Sequence, residues 1–171
     1  MNLTGYFNRI LFLTGTLGNF QCCNSGPKPN HMHEQKISPE NILKSMLQKD
    51  RFTEWLGLQI DEHRKGYCKL HYTINEMMLN GFENVHGGVL FSAADSALAF
   101  ASNSHGNIAV ALEVSISFTR PARLGDRLTV EAIEVYLGNK TGLYDIRTTN
   151  EQGELIALFK GTVYRTTKEI R

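Results

Sequence analysis

The clearest signal in the chain is a change of hydrophobic period. Between residues 38 and 56 apolar positions recur at helical spacing: Ile42, Leu43, Met46 and Leu47, then Phe52, Trp55 and Leu56. Ser38-Pro39-Glu40 supplies an N-cap, a proline at the first helical position and an acid in the first turn, and Gly57 stops the run. From Leu58 the period becomes two. Leu58 and Ile60 alternate with polar residues, Gly66 marks a turn, and residues 67–74 alternate again, which predicts a β-hairpin. Residues 75–86 read as a loop containing Asn80-Gly81.

Residues 87–104 break the alternation. This stretch is apolar nearly all round, rich in Ala and Ser, and carries one charge, Asp95. A helix apolar on every side is enclosed by the rest of the fold, and its small residues let neighbouring backbone come close. His105-Gly106-Asn107 ends it. Four strand-like runs follow, at about 108–119, 127–137, 141–150 and 154–166, with β-branched and aromatic residues frequent in them. No long helix separates them, so the sheet is expected to be mainly an antiparallel meander. The order of helix, two strands, buried helix and four strands predicts an α+β fold: a curled antiparallel sheet wrapped around one long central helix.

Composition narrows the function classes. The chain has 171 residues, 42% hydrophobic and 20% charged, with a formal net charge of +1. Neither that balance nor any Lys/Arg run favours a nucleic-acid partner. The cysteines, Cys22, Cys23 and Cys68, do not form a secreted disulfide framework, which points to a reducing cytoplasm. The six histidines are scattered, without acidic or thiol partners at ligand spacing, so neither a metal nor a cofactor is expected. Residues 1–33 contain no Asp or Glu. Their apolar run, Ile10 to Leu13, is far shorter than the roughly 20 residues a membrane span needs, so no membrane partner is expected. A breaker cluster over residues 24–30 follows. Residues 1–35 are therefore expected to be a flexible N-terminal extension (a leader, a tag, or translation from an upstream start, with Met32 as a second start), and residues 36–171 the folded domain.

Two features carry candidate chemistry. A carboxylate in an alanine-rich, apolar helix is costly unless it is paired or used. Asp95 is thus either bonded to backbone or to a partner chain, or it serves as general base or nucleophile. Gly87 and Gly88 sit at the start of the same helix, where free backbone N–H groups and the helix dipole favour an anion. A plain loop-to-helix turn would use glycine too.

Asn80-Gly81, His86-Gly87-Gly88, Phe91-Ser92 and Ala94-Asp95 together resemble the active-site segment of the phenylacetic-acid-degradation (PaaI-type) hotdog thioesterases. The resemblance continues through Phe118-Thr119-Arg120-Pro121-Ala122, Gly125-Asp126-Arg127-Leu128, residues 140–145 and residues 157–162, and covers about residues 40–166. It implies a hotdog fold and hydrolysis of an aromatic acyl-CoA, such as a phenylacetyl- or hydroxyphenylacetyl-CoA, to the free acid and CoA. It implies a homodimer or a homotetramer built as a dimer of dimers, with active sites shared between chains. In that frame Asp95 is the base or nucleophile, Gly87 the main oxyanion donor, and Asn80 holds the water or the thioester carbonyl. His86 and Gly88 support the loop. Arg120, Arg123, Lys140 and Arg165 are candidates for the CoA phosphates, and each reads equally well as solvated surface charge. The alternatives are a hotdog hydratase or dehydratase, whose His–acid pair this segment does not arrange for β-carbon proton chemistry, and a non-catalytic acyl-CoA-binding module, which has no need of Asp95.

Overall fold

The computed structural model describes residues 37–170, so the expectations for residues 1–35 lie outside the described residues. Helix α1 (Pro39–Leu47) starts as its sequence predicts, with the Ser38 hydroxyl accepting from the Asn41 N–H at 3.3 Å. The Phe52–Leu56 run is a separate helix, α2 (Arg51–Leu56). It is capped by Asp50, whose carboxylate accepts from the Thr53 N–H, and closed by Gly57 at φ 68°. Gly57 has the left-handed conformation that glycine adopts at no steric cost.

Strands β1 (Gln59–Arg64) and β2 (Tyr67–Thr73) form the hairpin. A short 3-10 turn, Glu76–Met78, interrupts the segment expected to be all loop. Helix α3 (Gly87–Asn103) is the long apolar helix, followed by β3 (Asn107–Phe118), β4 (Arg127–Leu137), β5 (Thr141–Thr149) and β6 (Leu155–Glu169). The strands make one six-stranded antiparallel sheet in the order β1-β2-β4-β5-β6-β3.

The meander expectation holds for β4, β5 and β6 and fails for β3, which lies at the far edge beside β6. The reason is α3. A helix of 17 residues spans about 25 Å, roughly five strand spacings, so it carries the chain from β2 across to the opposite edge. β4 then returns to pair with β2.

Helix α3 packs against all six strands. Leu90, Ala93, Ala94, Ala97, Leu98 and Phe100 of the helix are buried with Leu70, Tyr72, Val130, Ile146 and Phe159 of the sheet. The approach is closest at Gly161 in β6, where an added Cβ would lie 2.6 Å from Leu98 Cδ2. Glycine inside a strand here marks contact with the helix.

Candidate active site

The start of α3 is where the predicted residues converge. His86 is the N-cap, in extended backbone, and its Nδ1 accepts the Gly88 N–H at 2.9 Å. The carbonyl of His86 accepts from Val89, and its own N–H is held by the Met78 carbonyl. The Gly87 N–H has no partner among the described residues, so a free donor stands at the positive end of the helix dipole.

Both glycines answer to a ring. A Cβ at Gly87 would lie 3.1 Å from Phe118 Cζ, and a Cβ at Gly88 would lie 3.0 Å from His86 Nδ1. Phe118, at the end of β3, is half exposed and forms one wall of a cleft of about 350 Å³ with Asn80, Val85, Gly87, Leu90 and Arg120. Phe118 was quoted above only as part of a family motif. Its side-chain role has no local sequence signal, because it depends on β3 ending over the start of α3.

Asn80 faces the same cleft with half of its amide committed. Its Oδ1 accepts from the Phe82 N–H at 2.9 Å and the Asn84 N–H at 3.4 Å, while its Nδ2 has no partner among the described residues. The side chain therefore builds the turn with its oxygen and offers its NH2 group as a donor.

Asp95 lies elsewhere in the protomer. It is half-buried, eight residues along α3 from Gly87, roughly 12 Å along the helix axis. It makes neither a hydrogen bond nor an ion pair with any described residue. Desolvation alone raises its carboxyl above the usual carboxylate range. Within one chain, Asn80 and Gly87 share a cleft that Asp95 does not line.

The four candidate cations separate into two pairs. Arg120 lines the cleft and stands 3.9 Å from Glu154, and Arg123 lies on the same segment between β3 and β4. Lys140 is in the β4–β5 turn, at the other end of β4 and roughly 30 Å away. Arg165 lies with it, donating from Nη1 to the Gly138 carbonyl at 2.7 Å, with its N–H on the Lys140 carbonyl. Lys140 and Arg165 thus stand apart from this cleft within the chain; for Lys140 the strand read at 127–137 already implied it, since Arg120 and Arg123 precede that strand and Lys140 follows it.

Among the described residues no group of three or more His, Cys, Asp or Glu could hold a metal ion, and no helix is long and apolar enough to cross a membrane. Burial pushes the Cys68 thiol up to about 12, so it is protonated and inert.

The sequence pattern of the Thioesterase superfamily matches residues 82–157, which includes the start of α3, Asp95 and Phe118. A putative esterase of Archaeoglobus fulgidus is 44% identical over 130 residues, 76% of this chain and 84% of that protein. The acyl-coenzyme A thioesterase PaaI of Escherichia coli K12 is 41% identical over 121 residues, 71% of this chain and 86% of that protein. The E. coli PaaI structure superposes with a TM-score of 0.76, covering 78% of this chain and 96% of that one. A Streptococcus mutans protein whose structure is bound to acetyl CoA gives 0.66 at 25% identity, covering 82% of this chain and all of that one.

Proposed function

The chain belongs to the thioesterase superfamily, and from that premise we propose that it hydrolyses an aromatic acyl-CoA, a phenylacetyl- or hydroxyphenylacetyl-CoA, to the free acid and CoA. It has the hotdog fold, and acyl-CoA thioester hydrolysis is its activity. The observation that carries the site assignment is Asp95: a half-buried carboxylate on an apolar helix, raised by desolvation and bonded to none of the described residues. A group held at that cost without a structural partner is held for chemistry.

The thioester carbonyl sits against the Gly87 N–H, with the Asn80 NH2 as second donor. Both residues line the cleft in which negative charge would develop on the carbonyl oxygen. Asp95 removes a proton from the attacking water or attacks the carbonyl carbon itself; single-turnover hydrolysis in heavy-oxygen water separates the two routes. The reacting atoms must come within about 3 Å of each other, and roughly 12 Å of helix lies between Gly87 and Asp95. Asp95 of one chain therefore serves the donors of a second copy, and the enzyme is a homodimer at least. Two features support this arrangement. Ser92, Asp95, Ser96 and Ala99 of α3 are only half-buried, while Phe91 beside them packs on Phe159 of the sheet. β3 is an open edge on which Val110 and Leu112 are exposed.

The aromatic acyl group rests on the likeness to a PaaI protein from a phenylacetic acid degradation operon and on a cleft walled by Phe118 and Leu90. CoA release from a panel of phenylacetyl-, hydroxyphenylacetyl- and straight-chain acyl-CoAs tests it. The aromatic thioesters should give the highest kcat/KM. Equal or faster turnover of straight chains overturns the substrate assignment and leaves the reaction class standing.

A further inference from the structure

We infer that Ser92 is a catalytic residue: its hydroxyl and the Asp95 carboxylate together hold the water that attacks the thioester. The inference rests on the assignment of Asp95 to the reaction and takes its general-base route. It starts from a difference among the four serines of α3 and its cap. Ser102 donates to the Ala99 carbonyl at 3.3 Å and Ser104 to the Ala101 carbonyl at 2.6 Å, the back-bonding open to a serine inside a helix. Ser92 and Ser96 are half-buried on the same helix, and neither hydroxyl has a partner among the described residues. An unbonded serine in a helix interior is a poorer helix former than alanine, so these hydroxyls add nothing to the fold.

Helix geometry picks one of the two. Residues three and four apart share a helix face, and adjacent residues do not. By that rule the neighbours of Asp95 are Phe91, Ser92, Leu98 and Ala99. Phe91 packs on Phe159 with 5.3 Å between ring centroids, Leu98 is buried against Gly161, and Ala99 offers a methyl group. Ser92 is the polar neighbour. A helical side chain also leans toward the helix N-terminus, so the Asp95 carboxylate lies over the turn that carries Ser92 and not over Ala99. The two Cβ atoms of such a pair are roughly 5–6 Å apart. The side chains do not bond each other, and the space between them takes one water with hydrogen bonds of about 2.8 Å to both. There the water donates one proton to Asp95 and the other to Ser92 Oγ, and keeps a lone pair for the carbonyl carbon. As Asp95 takes its proton, the new C–O bond forms and the oxyanion develops on the Gly87 N–H of the second copy. Collapse breaks the C–S bond, and the CoA thiolate leaves with the proton from Asp95.

The test compares the full-length chain with Ser92→Ala and Ser96→Ala, using whichever acyl-CoA of the panel above turns over fastest. Each is assayed with and without added methanol, and free acid is measured against methyl ester. Melting curves and light scattering check fold and assembly; alanine is the better helix former, so Ser92→Ala should melt no lower than the unsubstituted chain. Its kcat should fall about tenfold, the worth of one hydrogen bond, with little change in KM. The share of methyl ester should rise severalfold, because methanol gains on a water that is no longer held. A residue that only shapes the helix would lower both products alike. Ser96→Ala should stay close to the unsubstituted chain in rate and ester share. Unaltered kcat in Ser92→Ala overturns the inference, and so does a slow variant with an unaltered ester share. An equal loss in Ser96→Ala also overturns it, since the effect would then belong to the polarity of the face and not to the position of Ser92. The reading beneath it fails separately, in an Asp95→Asn protein of near-normal turnover.

Discussion

The two ends of α3 are built on opposite rules. At its C-terminal end the polar side chains of the helix and its cap are bonded. Asn103 Nδ2 donates to the carbonyls of Ala99 at 2.9 Å and Ala109 at 3.1 Å, and its Oδ1 accepts the Ala109 N–H at 2.9 Å. The Ser104 hydroxyl donates to the Ala101 carbonyl and accepts the Gly66 N–H. Glu134 accepts from Tyr144 and pairs with His105, each at 2.7 Å. At the N-terminal end the Gly87 N–H and the Asn80 NH2 have no partners among the described residues, and two turns in from that end neither does Asp95. These groups are half-buried and reach solvent, so a substrate can replace water on them and complete their bonding. The closed half fixes the helix and the open half works. Polarity does not separate the halves; partnership does.

The largest effect should come from the open half. Asp95→Asn keeps the side-chain shape and removes the charge. Turnover should fall by about 10² or more, the scale of lost acid–base catalysis. Thermal stability should hold or rise. The folded-state carboxyl is raised, so folding favours its protonated form, and the stability cost of the carboxylate is present at neutral pH and fades as pH falls through the raised range. The same shift predicts that kcat of the unsubstituted chain declines on the acid side, since the base must be ionised. Near-normal turnover in a folded, dimeric Asp95→Asn protein would make Asp95 a structural residue and erase the contrast between the halves.

The closed half predicts the reverse pattern. Asn103→Ala leaves the Ala109 N–H and C=O without their partner in a buried setting. The cost should be about 2 kcal/mol, which in a domain of this size lowers Tm by about 4–8 °C. Turnover per folded molecule should stay close to that of the unsubstituted chain. A drop in kcat without a drop in Tm would show that the C-terminal end also acts on the substrate.

The sequence makes the halves look more alike than they are. The enclosed helix, the hairpin before it and the antiparallel strands after it are all legible, because period and turn residues are local signals. The order of strands is not, because β3 reaches the far edge only through the length and path of α3. At the site, Asp95 stands out as the one charge in an apolar helix, and Gly87-Gly88 as a helix start. Their reasons do not show: Phe118 over Gly87 and the His86 ring over Gly88 are contacts of folded geometry. Asn103 and Ser104 read as the last residues of the 87–104 stretch, with nothing local to reveal that they stitch α3 to β3 and to the hairpin turn.

Gly87→Ala sharpens the comparison from the open side. The new methyl group would meet Phe118 Cζ at 3.1 Å, tighter than ordinary van der Waals contact. Phe118 is half exposed and can yield, so the fold should survive while the donor is pushed off its aim. Turnover should fall about tenfold, short of the 10²–10³ that removing an oxyanion donor costs. Adding Phe118→Ala removes the clash, and the double variant should be faster than Gly87→Ala alone. The non-additivity of the two changes then measures the contact. If the double variant is slower still, Phe118 acts on the substrate directly and the fit between ring and glycine is incidental.

Tyr144→Phe is the gentlest change and the strictest test of what partnership means. The phenol is buried, and burial together with its bond to the Glu134 carboxylate raises it well above its ordinary value, so it is a neutral donor at every working pH. Deleting the hydroxyl removes one charge-assisted hydrogen bond. It strands no buried group, because Glu134 keeps His105 at 2.7 Å and its side chain is 22% exposed to water. That difference from Asn103, whose loss strands both polar groups of Ala109, sets the magnitude. Stability should fall by about 1 kcal/mol, a Tm change of about 2–4 °C, with kcat and its pH profile unmoved. If Glu134 and His105 only fasten the end of α3 to β4, the loss should appear in stability alone, since Tyr144 touches nothing at the open half. A fall in kcat larger than the fall in folded protein would mean that this joint also aims the site, and the contrast with the open half would have to be redrawn.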